Sequence, residues 1–475
     1  MSFPKANTPQ TVGANLMEHP DMAGNMTFDA LKAAVADGSI DTVIVASADM
    51  QGRLVGKRFH AAFFINGGHE ETHCCNYLLA VDMEMTTVPG YKSSNWQTGY
   101  GDYVMKPDLA TLRPLPWLPG TAMCLADLLD HHHNPVPHSP RAILKRQVAR
   151  ARAMGFEAMM ATELEFYLFE NSYESLRDSN FKDLKPISAY NEDYHIFQTT
   201  KEEDVMRAIR NGLYAAGIPI ENSKGEADAG QEEVNYRYSD ALDTADNHTI
   251  TKNGIKEIAW TKGRSVTFMA KYDHRKAGSS SHVHQSLWSL DGKPAFADTS
   301  DEHGMSALMK HYIAGQLAYA REMTVFLAPY INSYKRFTIG MFAPTKAVWS
   351  ADNRTAGFRV CGVQSKAVRV ECRIPGSDVN PYLVCAALLA AGLEGIAQKM
   401  TLEPEMKGDM YSAGNVREIP KNLREAADLL KGSTMLRAAF GDDVVDHYHH
   451  AAQWEISETD RVVTDFEIQR LLERV

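Results

Sequence analysis

Two glutamates, Glu163 and Glu165, stand two positions apart in the otherwise apolar segment ATELEFYLF. Alternate side chains of a β-strand point to the same face, so both carboxylates are expected on one side of a strand whose other residues are aromatic or aliphatic. Burying an ionised carboxylate costs several kcal/mol unless a cation or a hydrogen-bond donor compensates it. The segment therefore indicates a cation-binding site rather than an ordinary core strand.

Three further segments repeat this alternation of polar and apolar residues. Their polar rows are His282, His284 and Ser286 in GSSSHVHQSLW, then Arg369, Glu371 and Arg373 in AVRVECRIP, then Gln231, Glu233, Asn235 and Arg237 in GQEEVNYRY. A single row of this kind is typical of a half-exposed antiparallel strand with a solvated polar face. Four such rows of acids, imidazoles and guanidiniums in one chain favour a shared site instead.

The residue types in these rows point to phosphoryl chemistry. Carboxylates with a histidine suit hard divalent cations such as Mg²⁺ or Mn²⁺, and arginines suit carboxylate or phosphate groups. Metals and guanidiniums together neutralise the charge on a migrating phosphoryl group. The sequence has no G-x-x-x-x-G-K-[ST] loop and no kinase signature, so a bound nucleotide would need another kind of fold.

Composition narrows the class of protein. The 475 residues exceed what a single core usually holds, so at least two domains are expected. The formal charge of −11 and the lack of a basic stripe argue against a nucleic-acid partner. No apolar run approaches the roughly 20 residues that span a bilayer, and the start has no leader pattern, so we expect a cytoplasmic protein without a membrane partner. The six cysteines include an adjacent pair and lack zinc-site spacing, which favours unpaired thiols.

The chain divides at a proline-rich stretch, HHHNPVPHSP, at residues 131–140. We predict a loose N-terminal segment over 1–26, a small domain over 27–137 and a large domain over 138–475. His131–His133 are interpreted as part of an exposed linker, because three adjacent residues cannot all converge on one ion.

Local patterns predict several elements. A helix in TFDALKAAVADGSI precedes two strand-like runs that flank a turn at Asp49–Gly52. Further helices are predicted in RAILKRQVARARAMG, over 202–216 and over 380–399, the last with Pro381 at its first helical position.

Taken in order and spacing, six motifs resemble one family. They are ATELEFYLF, AGQEEVNYRY, AGSSSHVHQSL, NSYKRF, ADNRTAGFRV and AVRVECRIPGSDVNPYL. Together they resemble the glutamine synthetase superfamily, class I type, from about residue 28 to the C-terminus, and most of all its γ-glutamylamide branch of glutamate–amine ligases. The resemblance implies an α+β fold with an N-terminal β-grasp domain and a large catalytic domain whose antiparallel strands form a funnel. It also implies a homo-oligomer, commonly a dodecamer of two stacked hexameric rings, with active sites shared between neighbouring subunits.

The resemblance also implies roles for individual residues. One metal would be held by Glu165, Glu226 and Glu233, and the other by Glu163, His282 and Glu371. The ATP contacts would be His284, Ser286, Lys366 and Arg369. Glutamate would be bound at Gly278, Arg336 and Arg373, beside Glu165. Arg354 and Arg359 would face the transferring phosphoryl group, and Asp49 would reach the site of the adjacent subunit. The alternatives are a plain hairpin turn for Asp49 and a structural ion pair for Arg354 and Arg359.

The chemistry that the family implies is amide formation in two steps. The γ-carboxylate of glutamate attacks the terminal phosphate of ATP, and an amine then displaces phosphate from the acyl phosphate. In the ammonia-using enzymes a loop of the form G-Y-E-A-P carries a Glu that handles ammonium, whereas this chain has GMFAP with Phe342 at that position. A phenyl ring neither accepts a proton nor balances a cation, but it packs well against an alkyl or aryl group. Ala277 also replaces the usual Asn before the glycine of the glutamate loop.

Three functions remain open from the sequence. The first is ligation of glutamate to an organic primary amine, such as an isopropylamine-like or aniline-like compound, with Phe342 as part of the amine pocket. The second is glutamine synthesis from ammonia, and the third is a catalytically silent homologue with a regulatory role. The amine could be deprotonated by Glu226, Asp49, Tyr190 or Tyr194. Tyr91, Trp96 and Tyr100 are interpreted first as residues of the domain core or of a subunit interface, and Tyr411 lies in an unusual context for an adenylylated tyrosine.

Overall fold

The computed structural model describes residues 25–338 and 340–475. The N-terminal segment predicted over 1–26 therefore lies almost entirely outside the described residues. The strands are β1 Thr42–Ala48, β2 Leu54–His60, β3 Thr72–Cys75, β4 Asp102–Pro107, β5 Arg113–Pro114, β6 Thr121–Leu129, β7 Phe156–Phe169, β8 Ile220–Gly225, β9 Gln231–Tyr236, β10 Ser239–Asp240, β11 Ser265–Thr267, β12 Val283–Ser289, β13 Trp349–Ala351, β14 Phe358–Cys361 and β15 Arg369–Cys372.

The α-helices lie mainly in the second half of the chain. They are α1 Phe28–Ala36, α2 Ala61–Phe63, α3 Pro140–Ala153, α4 Tyr173–Asp178, α5 Ile196–Thr199, α6 Glu203–Ala215, α7 Ala241–Thr261, α8 Ala307–Tyr319, α9 Thr324–Leu327, α10 Ile331–Lys335, α11 Pro381–Ala397, α12 Leu423–Gly432, α13 Thr434–Phe440, α14 Asp442–Asp460 and α15 Asp465–Leu471. A π-helical turn, Phe64–Gly68, and two 3₁₀ turns, Asn76–Leu79 and Leu109–Thr111, complete the regular structure of the described residues.

The N-terminal part of the chain forms a six-stranded sheet in the order β2-β1-β6-β4-β3, with β5 beside β6. The central strands β1 and β6 run parallel, and the strands outside them are antiparallel to their neighbours, as expected of a β-grasp domain. Helix α1 precedes the sheet, capped by the Thr27 side chain and anchored by the fully buried Leu31.

The larger sheet has nine strands in the order β13-β14-β15-β12-β7-β9-β8, with β10 and β11 also beside β7. Strand β7 is the centre, because its 14 residues pair with β12 on one side and β9 on the other. The pairing of β7 with β9 sets Glu165 opposite Glu233. The pairing of β12 with β15 sets His284 opposite Glu371. The four polar rows thus lie on adjoining strands of a single sheet.

Helices cover the sheet and form the main core. Helix α11 is almost wholly buried, and Asn380 caps its N-terminus by accepting from the backbone of Tyr382 and Leu383. It packs against α3, α7 and α8, which brings the helical layer against the strands that carry the site. The buried apolar side chains of this layer stabilise the large domain, at roughly 25 cal/mol per Å² of apolar surface removed from water.

The predicted fold class, an N-terminal sheet domain followed by a larger mixed domain, is confirmed. The predicted helices over 202–216 and 380–399 correspond to α6 and α11, one or two residues shorter at their ends. The stretch 131–139 is irregular and mostly exposed, and His133 contacts Glu71 at 3.0 Å. Among the described helices, none combines the length and the apolar character needed to cross a membrane.

Candidate active site

The first carboxylate cluster joins three strands, with Glu163 from β7, Glu371 from β15 and His282 directly before β12. Their ligand atoms lie within 4.8 Å of one another. Nδ1 of His282 is 2.7 Å from Glu163 Oε2 and 3.5 Å from Glu371 Oε1, while its buried Nε2 has no hydrogen-bond partner. The three side chains therefore bring oxygen and nitrogen ligand atoms close enough together to share one ion.

The second cluster consists of Glu165, Glu226 and Glu233, whose carboxylate oxygens also lie within 4.8 Å of one another. Glu165 and Glu233 are cross-strand neighbours and are each 6% exposed. Glu165 accepts from the backbone of Ser280 at 2.6 Å, and Lys224 donates to Glu226. Three carboxylates at this separation repel one another, so the cluster favours a bound cation.

The electrostatics of the two clusters differ. Burial opposes ionisation of Glu163, but hydrogen bonds with His282 and His284 hold the pKa of its carboxyl well below the usual range. Burial of Glu371 is likewise outweighed, chiefly by Arg373, and its pKa falls to about 2. In the second cluster, burial and the neighbouring carboxylates instead raise the pKa of Glu165 and lift that of Glu233 to about 8.

The arginines predicted to hold glutamate lie beside these clusters and are nearly inaccessible. Arg336 is 1% exposed and donates to Ile374 O, Ser280 Oγ and Arg373 O, at 2.8, 2.8 and 3.2 Å. Arg373 is 7% exposed and donates to Glu371 and to the backbone oxygen of Arg354.

Gly278 lies directly against Arg336. A Cβ at position 278 would be 2.5 Å from Arg336 Cγ and 2.7 Å from Ala270 O, so only glycine fits. Gly278, Arg336 and Arg373 are thus brought together, and their role in binding glutamate stays a prediction.

The two arginines assigned to the phosphoryl group differ in their surroundings. Arg359 bridges Asp352 and the buried Glu371, with Nη1 3.1 Å from Glu371 Oε2, so the structural ion pair considered from the sequence is present. Arg354 is exposed, and its backbone oxygen accepts from Arg373. The guanidinium of Arg354 is therefore accessible, whereas that of Arg359 is anchored to a metal-ligand candidate.

A cavity of ≈ 680 Å³ opens next to the first cluster and is lined by all four residues predicted to contact ATP, which are His284, Ser286, Lys366 and Arg369. Arg369 Nε donates to His284 Nδ1 at 3.1 Å, and His284 Nε2 is 2.9 Å from Glu163 Oε1. A volume of this size is in the range of sites for nucleotide-sized ligands.

The same cavity contains aromatic residues that the sequence reasoning did not assign to the site. Tyr238, Trp288 and Phe296 line it, and the Tyr238 and Trp288 rings are 6.4 Å apart. Trp288 Nε1 donates to Ser286 Oγ at 3.3 Å. The sequence pattern could have assigned Trp288 to the site, because Trp288 continues the alternating row of His282, His284 and Ser286 by one step.

The structure does not bring Asp49 to the site of its own chain. Its carboxylate is fully buried, accepts from the backbone of Gln51 and Arg53, and forms an ion pair with the Arg53 side chain at 2.7 Å. These contacts are those of the hairpin-turn alternative, and a catalytic role across a subunit boundary stays a prediction.

Phe342 is 65% exposed, with a left-handed backbone φ of 57°, in the loop that follows α10. It does not line the ≈ 680 Å³ cavity next to the first cluster, and its predicted contact with the amine stays a prediction. Tyr190 and Tyr194 are 65% and 70% exposed, and Trp96 is 82% exposed. Tyr91 is buried and stacks near His447, in agreement with its interpretation as a core residue.

The donor sets fit divalent metal ions. Carboxylate oxygens with one imidazole are the ligands that Mg²⁺ and Mn²⁺ accept, and the three ligand atoms of each set lie within 4.8 Å of one another. Burial and the neighbouring carboxylates raise the pKa of Glu233, a penalty that a cation bound there would relieve. The predicted ligands thus fall into the two groups that the sequence assigned to them.

The chain is similar to known proteins over most of its length. A model of the glutamine synthetase catalytic domain matches residues 137–471. A γ-glutamylethanolamide synthetase of Streptomyces coelicolor, GlnA4, is 49% identical over 456 residues, covering 96% of this chain and 97% of the relative. A glutamate–isopropylamine ligase of a Pseudomonas species is 36% identical over 438 residues, covering 92% and 95%. A solved complex of GmaS with ADP superposes with a TM-score of 0.81 at 26% identity, covering 93% of this chain and 99% of that structure.

Proposed function

Because the chain belongs to the glutamine synthetase family, we propose that it ligates the γ-carboxylate of glutamate to a small organic primary amine at the expense of ATP. The observation that carries the proposal is the combination of two complete ligand clusters with Phe342 at the position of the ammonium-handling Glu. The predicted enzyme class, an ATP-dependent carboxylate–amine ligase, agrees with relatives named for ethanolamide synthesis and isopropylamine ligation.

Each group of residues has a distinct task in this proposal. Glu163, His282 and Glu371 would hold one Mg²⁺ or Mn²⁺ ion, and Glu165, Glu226 and Glu233 a second. The two ions would neutralise charge on the phosphates. His284 and Arg369 position the nucleotide, and Lys366 lies at the rim of its cavity. Arg336 and Arg373 orient glutamate, because a guanidinium binds a carboxylate through two parallel hydrogen bonds.

The reaction proceeds in two displacements. A γ-carboxylate oxygen of glutamate forms a bond to the terminal phosphorus of ATP as the bond to the bridging oxygen breaks, which gives γ-glutamyl phosphate and ADP. The amine nitrogen then attacks the acyl carbon, phosphate leaves, and the nitrogen loses a proton. Arg359 and Arg354 stabilise the charge that develops on the phosphoryl oxygens. Glu226, Tyr190 and Tyr194, or Asp49 of a neighbouring subunit, are the candidates to accept the proton.

The choice of amine follows from what the loop at Phe342 lacks. A carboxylate there would concentrate ammonium, whereas a phenyl ring favours the alkyl part of an organic amine, worth about 1.5 to 3 kcal/mol when fully buried. Relatives are named for ethanolamine and isopropylamine, both primary amines of two or three carbons. We therefore place alkylamines and hydroxyalkylamines of this size first, with anilines after them.

The test is ADP release from ATP and glutamate in the presence of Mg²⁺, measured against ammonium, ethanolamine, isopropylamine and aniline. We expect kcat/KM for at least one organic amine to exceed that for ammonium by tenfold or more. Phe342→Glu should move this preference toward ammonium by one to two powers of ten, since about 1.4 kcal/mol corresponds to tenfold. Met341→Glu adds the same charge one residue away and serves as the matched control.

Two results of this assay would contradict the proposed amine ligation and favour another function. Equal or better use of ammonium by the wild-type protein would assign glutamine synthesis instead. Absence of ADP release with every amine would favour the regulatory homologue, although the complete ligand set argues for catalysis, because buried acids cost stability.

The assembly and cellular location belong to the same proposal. A homo-oligomer of two stacked hexameric rings is supported by the exposed apolar side chains of Tyr194, Ile196 and Phe197, which are 65% to 77% exposed in the single chain. Light scattering behind a sizing column should give the mass of about twelve chains. Consumption of ATP and six free cysteines suit the cytoplasm.

A further inference from the structure

A second face of strand β9 carries a carboxylate cluster that the six proposed ligands do not include. Glu232 points away from Glu233, because adjacent residues of a strand face opposite sides. Glu192, from the loop between α4 and α5, and Glu202, at the N-cap of α6, converge on it. The three glutamates are 0%, 1% and 1% exposed, and one oxygen from each lies within 4.8 Å of the others.

No donor group bonds Glu202 inside this cluster, where the carboxyls of Glu192 and Glu232 could hydrogen-bond it only through a retained proton. Neither of its carboxylate oxygens is bonded, and Glu192 Oε2 and Glu232 Oε1 are unpaired as well. Glu192 Oε1 accepts from Ser188 Oγ at 2.6 Å and from the backbone of Gly230 at 2.5 Å. Within 25–338 and 340–475, no Lys, Arg or His forms a salt bridge with any of the three.

The nearby cations are committed elsewhere. Lys224 donates to Glu226 and Asp193, and Arg210 donates to Glu203 and Ser223. The N-terminus of α6 favours a negative charge by only about 0.3 to 1 kcal/mol. This is well below the several kcal/mol per ion that burial of unpaired carboxylates costs.

The geometry suits an ion between the three side chains. Two oxygens bound to the same ion at about 2.3 to 2.6 Å are at most roughly 5 Å apart, which the cluster satisfies. Without such an ion, burial and the neighbouring carboxylates raise the pKa of Glu202 to about 11, so the cluster would have to retain protons at neutral pH.

We propose that Glu192, Glu202 and Glu232 form a third divalent-cation site, separate from the two catalytic clusters and specific for hard, oxygen-preferring ions. The site ties the loop that contains Glu192 to β9 and α6. That loop also carries Tyr194, whose ring lies 4.5 Å from Lys224 Nζ, and Lys224 in turn donates to the catalytic-site residue Glu226. The ion therefore fixes the segment that borders the second catalytic cluster.

The test counts bound Mn²⁺ on the full-length protein after removal of metals with EDTA, by equilibrium dialysis and elemental analysis. Wild-type protein should bind three Mn²⁺ per chain, and Glu202→Gln should bind two. Glu203→Gln is the matched control, since Glu203 is the next residue in the chain but pairs with Arg210, and it should keep three. Two equivalents on the wild type, or three on Glu202→Gln, would overturn the proposal.

A second measurement does not depend on the folding of any variant. Wild-type crystals soaked in Mn²⁺ should show an anomalous difference peak between Glu192, Glu202 and Glu232, in addition to two peaks at the catalytic clusters. Peaks at the catalytic clusters alone would show that the triad holds protons and would end the proposal. Both measurements are independent of the amine used, so they stand or fall separately from the ligase activity.

Discussion

Replacing Glu233 with glutamine should change activity and stability in opposite directions. Glu233 lies 6% exposed between like charges, and burial together with Glu163 and Glu226 raises its pKa from 4.5 to about 8. An acid whose pKa is raised on folding holds a proton that the unfolded chain gives up, so it destabilises the protein at every pH above the unfolded value. Glutamine at position 233 removes that penalty and also removes a metal ligand.

The size of the expected change in the free energy of unfolding follows from how far the pKa of Glu233 is raised on folding. Each pKa unit corresponds to about 1.4 kcal/mol, so at pH 7 the penalty in EDTA is on the order of 3 kcal/mol. The free energy of unfolding of Glu233→Gln in EDTA should therefore exceed that of the wild type at pH 7, and the two should approach each other near pH 4.5. With Mg²⁺ the order reverses, because a cation bound only by the folded wild type adds stability.

The assay is denaturant unfolding at pH 5 and pH 7 in EDTA, followed by thermal unfolding and ADP release with Mg²⁺. Glu170→Gln is the control, since Glu170 is an exposed carboxylate one residue past the end of β7. We expect Glu233→Gln to lose at least a hundredfold in kcat while it remains folded. A variant that is less stable than the wild type in EDTA and still active would refute both the charge argument and the assignment of the ligand.

Further predictions concern the nucleotide, glutamate and pH. Arg369→Ala should raise the KM for ATP tenfold or more with little change in the KM for glutamate, as steady-state kinetics can show. Gly278→Ala should lower kcat/KM for glutamate, because its Cβ would displace Arg336, whereas Gly432→Ala, with open space around it, should not. Burial lowers the pKa of His138 to about 4, so the unfolded state binds more protons between pH 6.5 and 4, and stability should fall as the pH falls through that window. His138→Asn should flatten that pH dependence in urea unfolding.

The polar rows of the sheet could be predicted from the sequence because a strand has a period of two. Glu163 and Glu165, with the apolar residues between them, require a central strand with one polar face, and β7 has that form. The N-terminal end of α11 could be placed because Asn380 and Pro381 form a cap that local patterns reveal. These features depend on residues close together in the chain.

The remaining features depend on contacts between distant segments. Glu192, Glu202 and Glu232 come from a loop, a helix cap and a strand, and only the folded chain brings their carboxylates together. The alternation of a strand places Glu232 on the face opposite Gln231 and Glu233, but it does not indicate which residues Glu232 meets there. Likewise, Asp49 fits a turn or a catalytic role equally well until its bonds with Arg53 are seen.

The contacts of Glu371 connect the arginines of the site to its metal ligands. Arg359 and Arg373 both donate to this buried carboxylate, although the proposed function gives them the phosphoryl group and glutamate as partners. A divalent cation at Glu371 would compete with these two guanidiniums for the same oxygens and leave their N–H groups free for anionic substrates. Among residues 25–338 and 340–475, Lys224 is the only cation paired with the second cluster, and burial with repulsion between its carboxylates raises the pKa of Glu165, so a divalent cation is favoured there even before substrates bind. Under the proposed function, metal binding at the first cluster would therefore be coupled to substrate binding, because the ion and the substrates would both draw on the contacts between Glu371 and these two arginines.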